Sequence, residues 1–485
     1  MWEQSQTPLF SGLIRHAQKK PLQFHIPGHK TGRGMDAEFR DFFGETALSI
    51  DLINIGPLDD LHHPVGMIDA AQRLAAQAFG ADYTFFSVQG TSGAIMAMIM
   101  SVVGPGEEIL VPRNIHKSVL TALILTGAKP HFLQPEVDLE LGIAQGVRVE
   151  TVRESLNRYP NVKAILLINP TYFGVSMDMA SVVQIAHERG VVVLVDEAHG
   201  VLTHFHPDLP QSAMDAGCDM AATSVHKLGG SLTQSSVLNV REGLVKARHV
   251  HSILSMLTTT STSYLLLASL DAARRNLAMF GREQIERALH LARRARERLN
   301  EIPGIYCFGR EILRTSATHS FDPLKLTVHV AETGWSGYEV ETHLRAEFNI
   351  EVELSDLYNV LCIVTFGDSE ETMERLVEGF RAIAKEARAA SRSPKRIFVP
   401  STPVLAMNPR EAFYADTEVV TLRAAVGRTI SDMIMVYPPG IPILLPGEVV
   451  TRDNVEFIEE NLAAGLPVQG PDDPTIRTVR VINKP

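Results

Sequence analysis

Between about Gly80 and Val240, short runs of aliphatic and β-branched residues alternate with stretches of helical period. The runs are Glu108 to Val111, Lys163 to Ile168, Val191 to Val195 and Ser235 to Val240. Continuous apolar runs of this length are how strands buried on both faces read, and parallel strands are buried in that way. The pattern predicts a doubly wound, mostly parallel α/β domain whose ligand chemistry sits at the carboxyl ends of its strands. Ser263 to Asn300 reads as one long helix. Leu324 to Val330, Ile350 to Leu354 and Val360 to Thr365 read as strands, with helices at Tyr338 to Glu347 and Glu370 to Ala390, so a smaller α+β unit is expected there.

These patterns divide the chain into an N-terminal arm (1–65), a large domain (66–315), a small α+β domain (316–390) and a C-terminal domain (397–485). The polar stretch SRSPKR, Ser391 to Arg396, is the expected linker. YPPGIPILLPGE, Tyr437 to Glu448, carries four prolines and two glycines, which predicts a rigid loop rather than a helix or a central strand.

Composition narrows the function classes. The 485 residues are 45% hydrophobic, and 45 basic against 56 acidic side chains give a net charge of −11. Neither a nucleic acid nor an anionic membrane is an expected partner, because both require clustered Lys and Arg. Three cysteines, Cys218, Cys307 and Cys362, form no pair with metal or redox spacing, so neither a metal site nor a disulfide framework is predicted. The N-terminus lacks a signal-peptide pattern and no apolar stretch reaches the ~18 residues of a membrane span, which predicts a cytoplasmic protein.

Four local features then converge. QGTSGA, Gln89 to Ala94, opens an apolar helical segment: Gly90 and Gly93 allow close backbone approach, while Thr91 and Ser92 supply hydroxyls and N–H groups for an anion. PRNIHKS, Pro112 to Ser118, places His116 at a strand-to-helix transition, where an imidazole can stack on a planar ring or move a proton. In VVVLVDEAHG, Asp196 ends a buried strand and needs a cationic partner, with His199 three residues on. The string DEAH also occurs in helicases, but its companion GxxxxGK[ST] is absent. Finally, ATSVHKLGGSLTQSS, Ala222 to Ser236, sets Lys227 beside His226 and near Ser224, which suits an amine held for Schiff-base chemistry. An anion-binding helix start, a stacking imidazole, an Asp and a Lys 31 residues later describe a site for pyridoxal 5′-phosphate (PLP). There Asp196 keeps the ring nitrogen protonated, and Thr91, Ser92, Ser224 and His226 hold the phosphate.

The strings FHIPGHKTG, PLDDLHHPVG, QGTSGA, RNIHKS, INPTYFGV, DEAHG, TSVHKLGGSLTQSS, TTTSTSY, NIEVELSD and YPPGIPILLPGE stand in order along essentially the whole chain. In these the sequence resembles the Orn/Lys/Arg decarboxylases of PLP fold type I, and among them the short bacterial biosynthetic arginine decarboxylases. The resemblance implies that Lys227 is the Schiff-base lysine, Asp196 the pyridinium partner and His116 the ring-stacking imidazole. His199 stands where related enzymes often place a Tyr. It further implies decarboxylation of L-arginine to agmatine in polyamine synthesis, with lysine or ornithine as the alternative substrate. The same resemblance implies a homodimer whose interface completes the site, with the hydroxyls from Thr258 to Ser263 reaching toward the neighbouring subunit's phosphate. An aminotransferase and a non-catalytic relative are the other readings; no evident arginine switch for a second α-carboxylate substrate supports the first, and the presence of Lys227, Asp196 and His116 opposes the second. For the cationic end of the substrate, Glu448 is the first candidate, followed by Asp59, Asp60, Glu353 and Asp356.

Overall fold

A computed structural model of the chain describes residues 3–386, 402–436, 441–463 and 468–483. The expected linker Ser391 to Arg396 and the start of the proline-rich loop, 437–440, lie outside the described residues, as do the last four positions of the helix expected to reach Ala390. The chain forms two compact units, one from Met1–Val102 with Val192–Glu283, the other from Val103–Val191 with Gln284–Pro485. The cut runs through the segment that the sequence pattern assigns to a single large domain.

In the first unit, strand Val192–Asp196 pairs in parallel with Met220–Thr223. Ser236–Val240 then runs antiparallel to Met220–Thr223 and to Tyr83–Ser87. This last strand departs from the parallel pattern predicted for it. Only four of the residues between Thr223 and Ser236 form a helix, Val225–Leu228, so the connection turns back instead of making the helical crossover that a parallel partner requires. Helix Gly90–Met100 (GTSGAIMAMIM) is apolar around its whole circumference, and accordingly Ala94, Ala97, Met98 and Ile99 are fully buried. The N-terminal helix Pro8–Gln18 is tied down by an ion pair inside the protein: Asp271 accepts from the N–H groups of Leu9 and Phe10 and pairs with Arg274 at 2.6 Å.

In the second unit, Glu108–Pro112 pairs in parallel with both Lys129–Leu133 and Val162–Ile168. A four-stranded antiparallel sheet follows, built from Tyr306–Cys307, Lys325–His329, Asn359–Ile363 and Leu354–Ser355. The strand expected at Ile350 to Leu354 shrinks to its last residue plus Ser355, because Asn349 adopts φ 51° to close helix Gly337–Phe348 and the chain needs the intervening residues to return. Capping boxes at Ser336 and Ser369 start the two helices beside this sheet. The C-terminal segment has its own core of Leu422, Ile430, Ile434, Ile443, Leu444, Ile458 and Val481. The long helix Tyr264–Asn300 matches the predicted one, and the cut between units falls within it. No helix among the described residues is long and apolar enough to cross a membrane.

The turn that precedes strand Asn359–Ile363 is organised by Asp356. Its carboxylate accepts from the N–H groups of Tyr358 and Asn359 and from Asn359 Nδ2 at 2.8, 2.8 and 3.0 Å. Burial pushes its pKa up to about 6, and these bonds hold it from going higher. The unfolded chain therefore releases this proton at lower pH than the folded one, so the group's contribution to stability falls as pH rises from about 4 to about 6. Asp356→Asn lacks this titration. The urea-unfolding free energy of the wild type relative to Asp356→Asn should drop by up to about 3 kcal/mol between pH 4 and pH 7; a constant difference would contradict the assignment.

Candidate active site

Asp196 is the last residue of its strand and is almost fully buried. One carboxylate oxygen accepts from Ala198 N at 3.1 Å, which folds the chain back so that His199 faces the next strand end. There, Lys227 lies in the short helix Val225–Leu228, with Nζ 2.7 Å from Nε2 of His199. An ammonium has only donors, so toward a charged Lys227 the imidazole accepts at Nε2 and carries its proton on Nδ1. His226 points its Nδ1 at the carbonyl of Ser235, 2.9 Å away.

Three hydroxyls meet beside these groups. Thr91 Oγ1 is hydrogen-bonded to Ser224 Oγ and lies 2.7 Å from Ser236 Oγ, and all three residues are buried. Thr91 belongs to the first turn of helix Gly90–Met100, whose cap residue Gln89 makes no side-chain bond to that turn. Gly90 has φ 67°, and a Cβ on Gly93 would stand 2.7 Å from that of Gln89. Ser92 is half-buried on the same turn. Rotatable hydroxyls around a helix N-terminus without a side-chain cap are a donor set for a phosphate group. Together with a buried carboxylate at one strand end and an amine at the next, these residues fit PLP.

The sequence did not single out what lies behind these residues. Glu197 is fully buried, and its carboxylate accepts from Ala213 N at 2.7 Å, Thr223 Oγ1 at 2.9 Å and His204 Nε2 at 2.8 Å. Thr223 in turn accepts from Asn239 Nδ2 at 3.3 Å, and Asn239 accepts from Thr84 Oγ1 at 2.7 Å. The row of polar side chains thus runs from the end of strand Val192–Asp196 across its three neighbours in the sheet. It joins the residue after Asp196 to the residue before Ser224, and so fixes the two segments that carry Asp196, His199 and Lys227. His204 Nδ1 faces the carbonyl of Phe79 at 3.1 Å, so both ring nitrogens donate. Burial pulls the His204 pKa down, but the charge and hydrogen bond of Glu197 outweigh it, and the net direction is upward. The available signal was the second acid of DEAH: an acid directly after a buried strand needs partners of its own.

In the second unit, His116 caps helix Lys117–Thr126, accepting from Ser118 N at 3.2 Å with Ser118 Oγ 2.8 Å from the same Nδ1; its ring is exposed. Among the acids offered for the substrate's cationic end, Glu448 is completely buried, and Arg113 engages both its oxygens, one of them at 2.8 Å. Leu445 N supplies a further bond at 2.7 Å. A carboxylate so taken up has no face left for a ligand, which removes the ground for placing Glu448 first. Asp59 accepts from the N–H groups of Val65, Gly66 and Ile68 at the start of helix Met67–Phe79. Asp60 bonds Asn54 Nδ2 and His62 N. Asp356 is spent on its turn. Glu353 is exposed, and its carboxylate accepts from the phenol of Tyr172. In the hydroxyl run, Thr258 bonds back to Leu254 O and Thr262 is buried, while Thr259, Thr260 and Ser261 are exposed.

The profile of the Orn/Lys/Arg decarboxylase major domain matches residues 7–372, and that of the family's C-terminal domain matches residues 392–464. The chain belongs to the Orn/Lys/Arg decarboxylase family. It is 61% identical to an arginine decarboxylase of Halalkalibacterium halodurans, covering 100% of this chain and 99% of that protein. It is 60% identical to the arginine decarboxylase of Bacillus subtilis, over 99% of each. Among solved structures, the lysine decarboxylase LdcF of Francisella novicida superposes with a TM-score of 0.84 at 22% identity, covering 98% of this chain and 81% of that one. The mixed α/β architecture expected from the sequence is thus the fold shared with these decarboxylases, and this family member is a decarboxylase.

Glu197→Gln leaves the buried His204 cation without its counter-charge. The variant should lose roughly 3–5 kcal/mol of stability in urea denaturation near pH 6. Because the His204 pKa is raised when folded, this ion pair stabilises fully below about pH 6.5 and its contribution fades as pH rises through the folded value. The penalty should therefore shrink at high pH; a penalty that stays constant would show that His204 is neutral.

Proposed function

We propose that the protein decarboxylates L-arginine to agmatine and CO₂ with PLP as cofactor, in polyamine biosynthesis. The observation that carries this reading is the full-length similarity to arginine decarboxylases together with Lys227, Asp196 and a hydroxyl-lined helix start gathered in one unit. When bound, PLP supplies an electron sink for the pair left on Cα as the bond to the carboxylate breaks. Lys227 is the amine that holds it. Asp196, buried and anionic, keeps a proton on the ring nitrogen, while Thr91, Ser92, Ser224 and Ser236 hold the phosphate with the first turn of the helix. His226, whose Nδ1 faces Ser235 O, is the further residue assigned to the phosphate. His116, its ring oriented through Ser118, is the residue assigned to the cofactor's face. The proton that replaces CO₂ on Cα comes from a protein group, and Lys227, with His199 at 2.7 Å to exchange protons, is suited to deliver it. Glu353, exposed and bonded to a neutral phenol, takes the guanidinium in place of Glu448.

We also infer a cytoplasmic homodimer. Leu22, Phe24, Phe42, Val65 and Met256 are each more than 70% exposed in the first unit, and we assign these apolar side chains to the contact with a second copy. The three cysteines are free and buried, as suits a reducing compartment.

Purified protein supplied with PLP should release CO₂ from labelled arginine far faster than from lysine or ornithine; release from lysine alone would overturn the arginine assignment. Lys227→Ala should abolish the visible absorbance of the bound cofactor, and Asp196→Asn should weaken cofactor binding and lower turnover by orders of magnitude. Glu353→Gln should raise KM for arginine more than it lowers kcat. In sedimentation, Phe24→Ser combined with Phe42→Ser should shift the protein toward a monomer, and an unchanged dimer would place the interface elsewhere.

A further inference from the structure

A few residues after Lys227 the chain makes a turn at a backbone angle that its central side chain does not favour. Ser235 N donates to Leu232 O at 3.2 Å, closing a tight turn whose third residue, Gln234, has φ 80°. This is the most positive φ of any non-glycine residue among the described residues, at a turn position that glycine ordinarily occupies. Glycine adopts the angle freely and a residue with a Cβ does not, so the surrounding structure must hold Gln234 in place. Two hydrogen bonds do so, and both reach the same neighbouring segment. The carbonyl of Gln234 accepts from Gly90 N at 2.9 Å, and its side-chain Nε2 donates to Val88 O at 2.6 Å. The residue between these two contacts is Gln89, the cap of helix Gly90–Met100. Although Gln234 is exposed, its amide is folded back onto the backbone rather than left to water.

The clamp fastens together two segments that a phosphate group needs in register. One carries Thr91 and Ser92 in the first turn of the helix, where Gln89 makes no side-chain capping bond. The other runs from Ser224 through His226 to Ser236, and within it Ser235 O accepts from His226 N at 3.3 Å. With Gly90 N engaged by Gln234, the next N–H groups of the turn are those of Thr91 and Ser92. All of these residues belong to the first unit.

We infer that Gln234 is a positioning residue for the cofactor's phosphate: its side-chain amide, held in a strained turn, fixes the first turn of helix Gly90–Met100 against the segment that bears Ser224 and Ser236. This rests on the functional reading above, in which Thr91, Ser92, Ser224 and Ser236 hold the phosphate of PLP. Gln234 acts through the helix start and not on the reacting atoms.

The test compares PLP with pyridoxal, the same aldehyde without the phosphate. Gln234→Gly keeps the carbonyl that Gly90 N uses, tolerates the backbone angle and removes only the amide. Both ligands are titrated by absorbance into the apoproteins of wild type and variant, and urea unfolding of each apoprotein checks that it is folded. Gln234→Gly should bind PLP more than about threefold more weakly, the loss of one hydrogen bond's contribution, while its affinity for pyridoxal stays at the wild-type value. A PLP affinity within about threefold of wild type, or losses of equal size for PLP and pyridoxal, would overturn the inference and leave Gln234 a turn residue only. Should Gln234→Gly fail to fold, Gln234→Asn is carried through the same titrations with the same two outcomes; asparagine also tolerates this backbone angle, and its amide is one methylene too short to reach Val88 O. A wild-type protein that binds no PLP would overturn the functional reading and this inference with it, whereas a wild type that binds PLP beside a variant with equal losses overturns this inference alone.

Discussion

A carboxylate taken out of water must recover its hydrogen bonds from the protein, and Glu197 recovers three of them from groups that sit on separate segments. That requirement organises the cofactor-binding end of the first unit. Thr223 meets the acid from the neighbouring strand, His204 from the turn that follows DEAHG, and Ala213 from the loop beyond. Because the acid stands next to Asp196, and Thr223 next to Ser224, satisfying it also aligns the two chemically active strand ends. A mispaired register would leave a bare charge in the core, an error that costs several kcal/mol. The polar row is therefore a register device as much as a stabilising one.

Arg113 and Glu448 repeat the logic in the second unit with a different span. Here the acid and base are far apart in sequence and come from two regions that the sequence pattern assigns to different domains. Both units bury a charge pair directly behind a segment of functional interest, and in each the pair lies on the residue flanking the segment rather than within it. The surface of the site can then vary in side chain without disturbing its support.

Much of this was readable in the sequence, and the readable part has a common character. Apolar runs ended by Asp196 or by Pro112 announced strands, glycine and hydroxyl residues announced a helix start open to an anion, and the long helix from Tyr264 announced itself by length. Each of these signals is local. What could not be read is what depends on a distant partner. Glu448 closes a rigid PGE turn and looks like an acid on display; only the fold reveals that Arg113 consumes it. The antiparallel return of Ser236–Val240 carries no mark in its own composition, since a strand buried on both faces is equally apolar in either direction. Ser236 itself, the third hydroxyl of the cluster, stood in the motif already noted but nothing nearby distinguished it from Ser235, which turned instead to bond Leu232.

The separation of 335 residues between Arg113 and Glu448 bears on how the protein is made. During synthesis, the guanidinium emerges early and must wait for nearly the whole remaining chain before its counter-ion leaves the ribosome. Until then the strand end that leads to His116 cannot be sealed from water without burying an unpaired cation. A chain cut short before residue 448 would lack this counter-ion and would leave the Arg113 guanidinium either in water or buried unpaired.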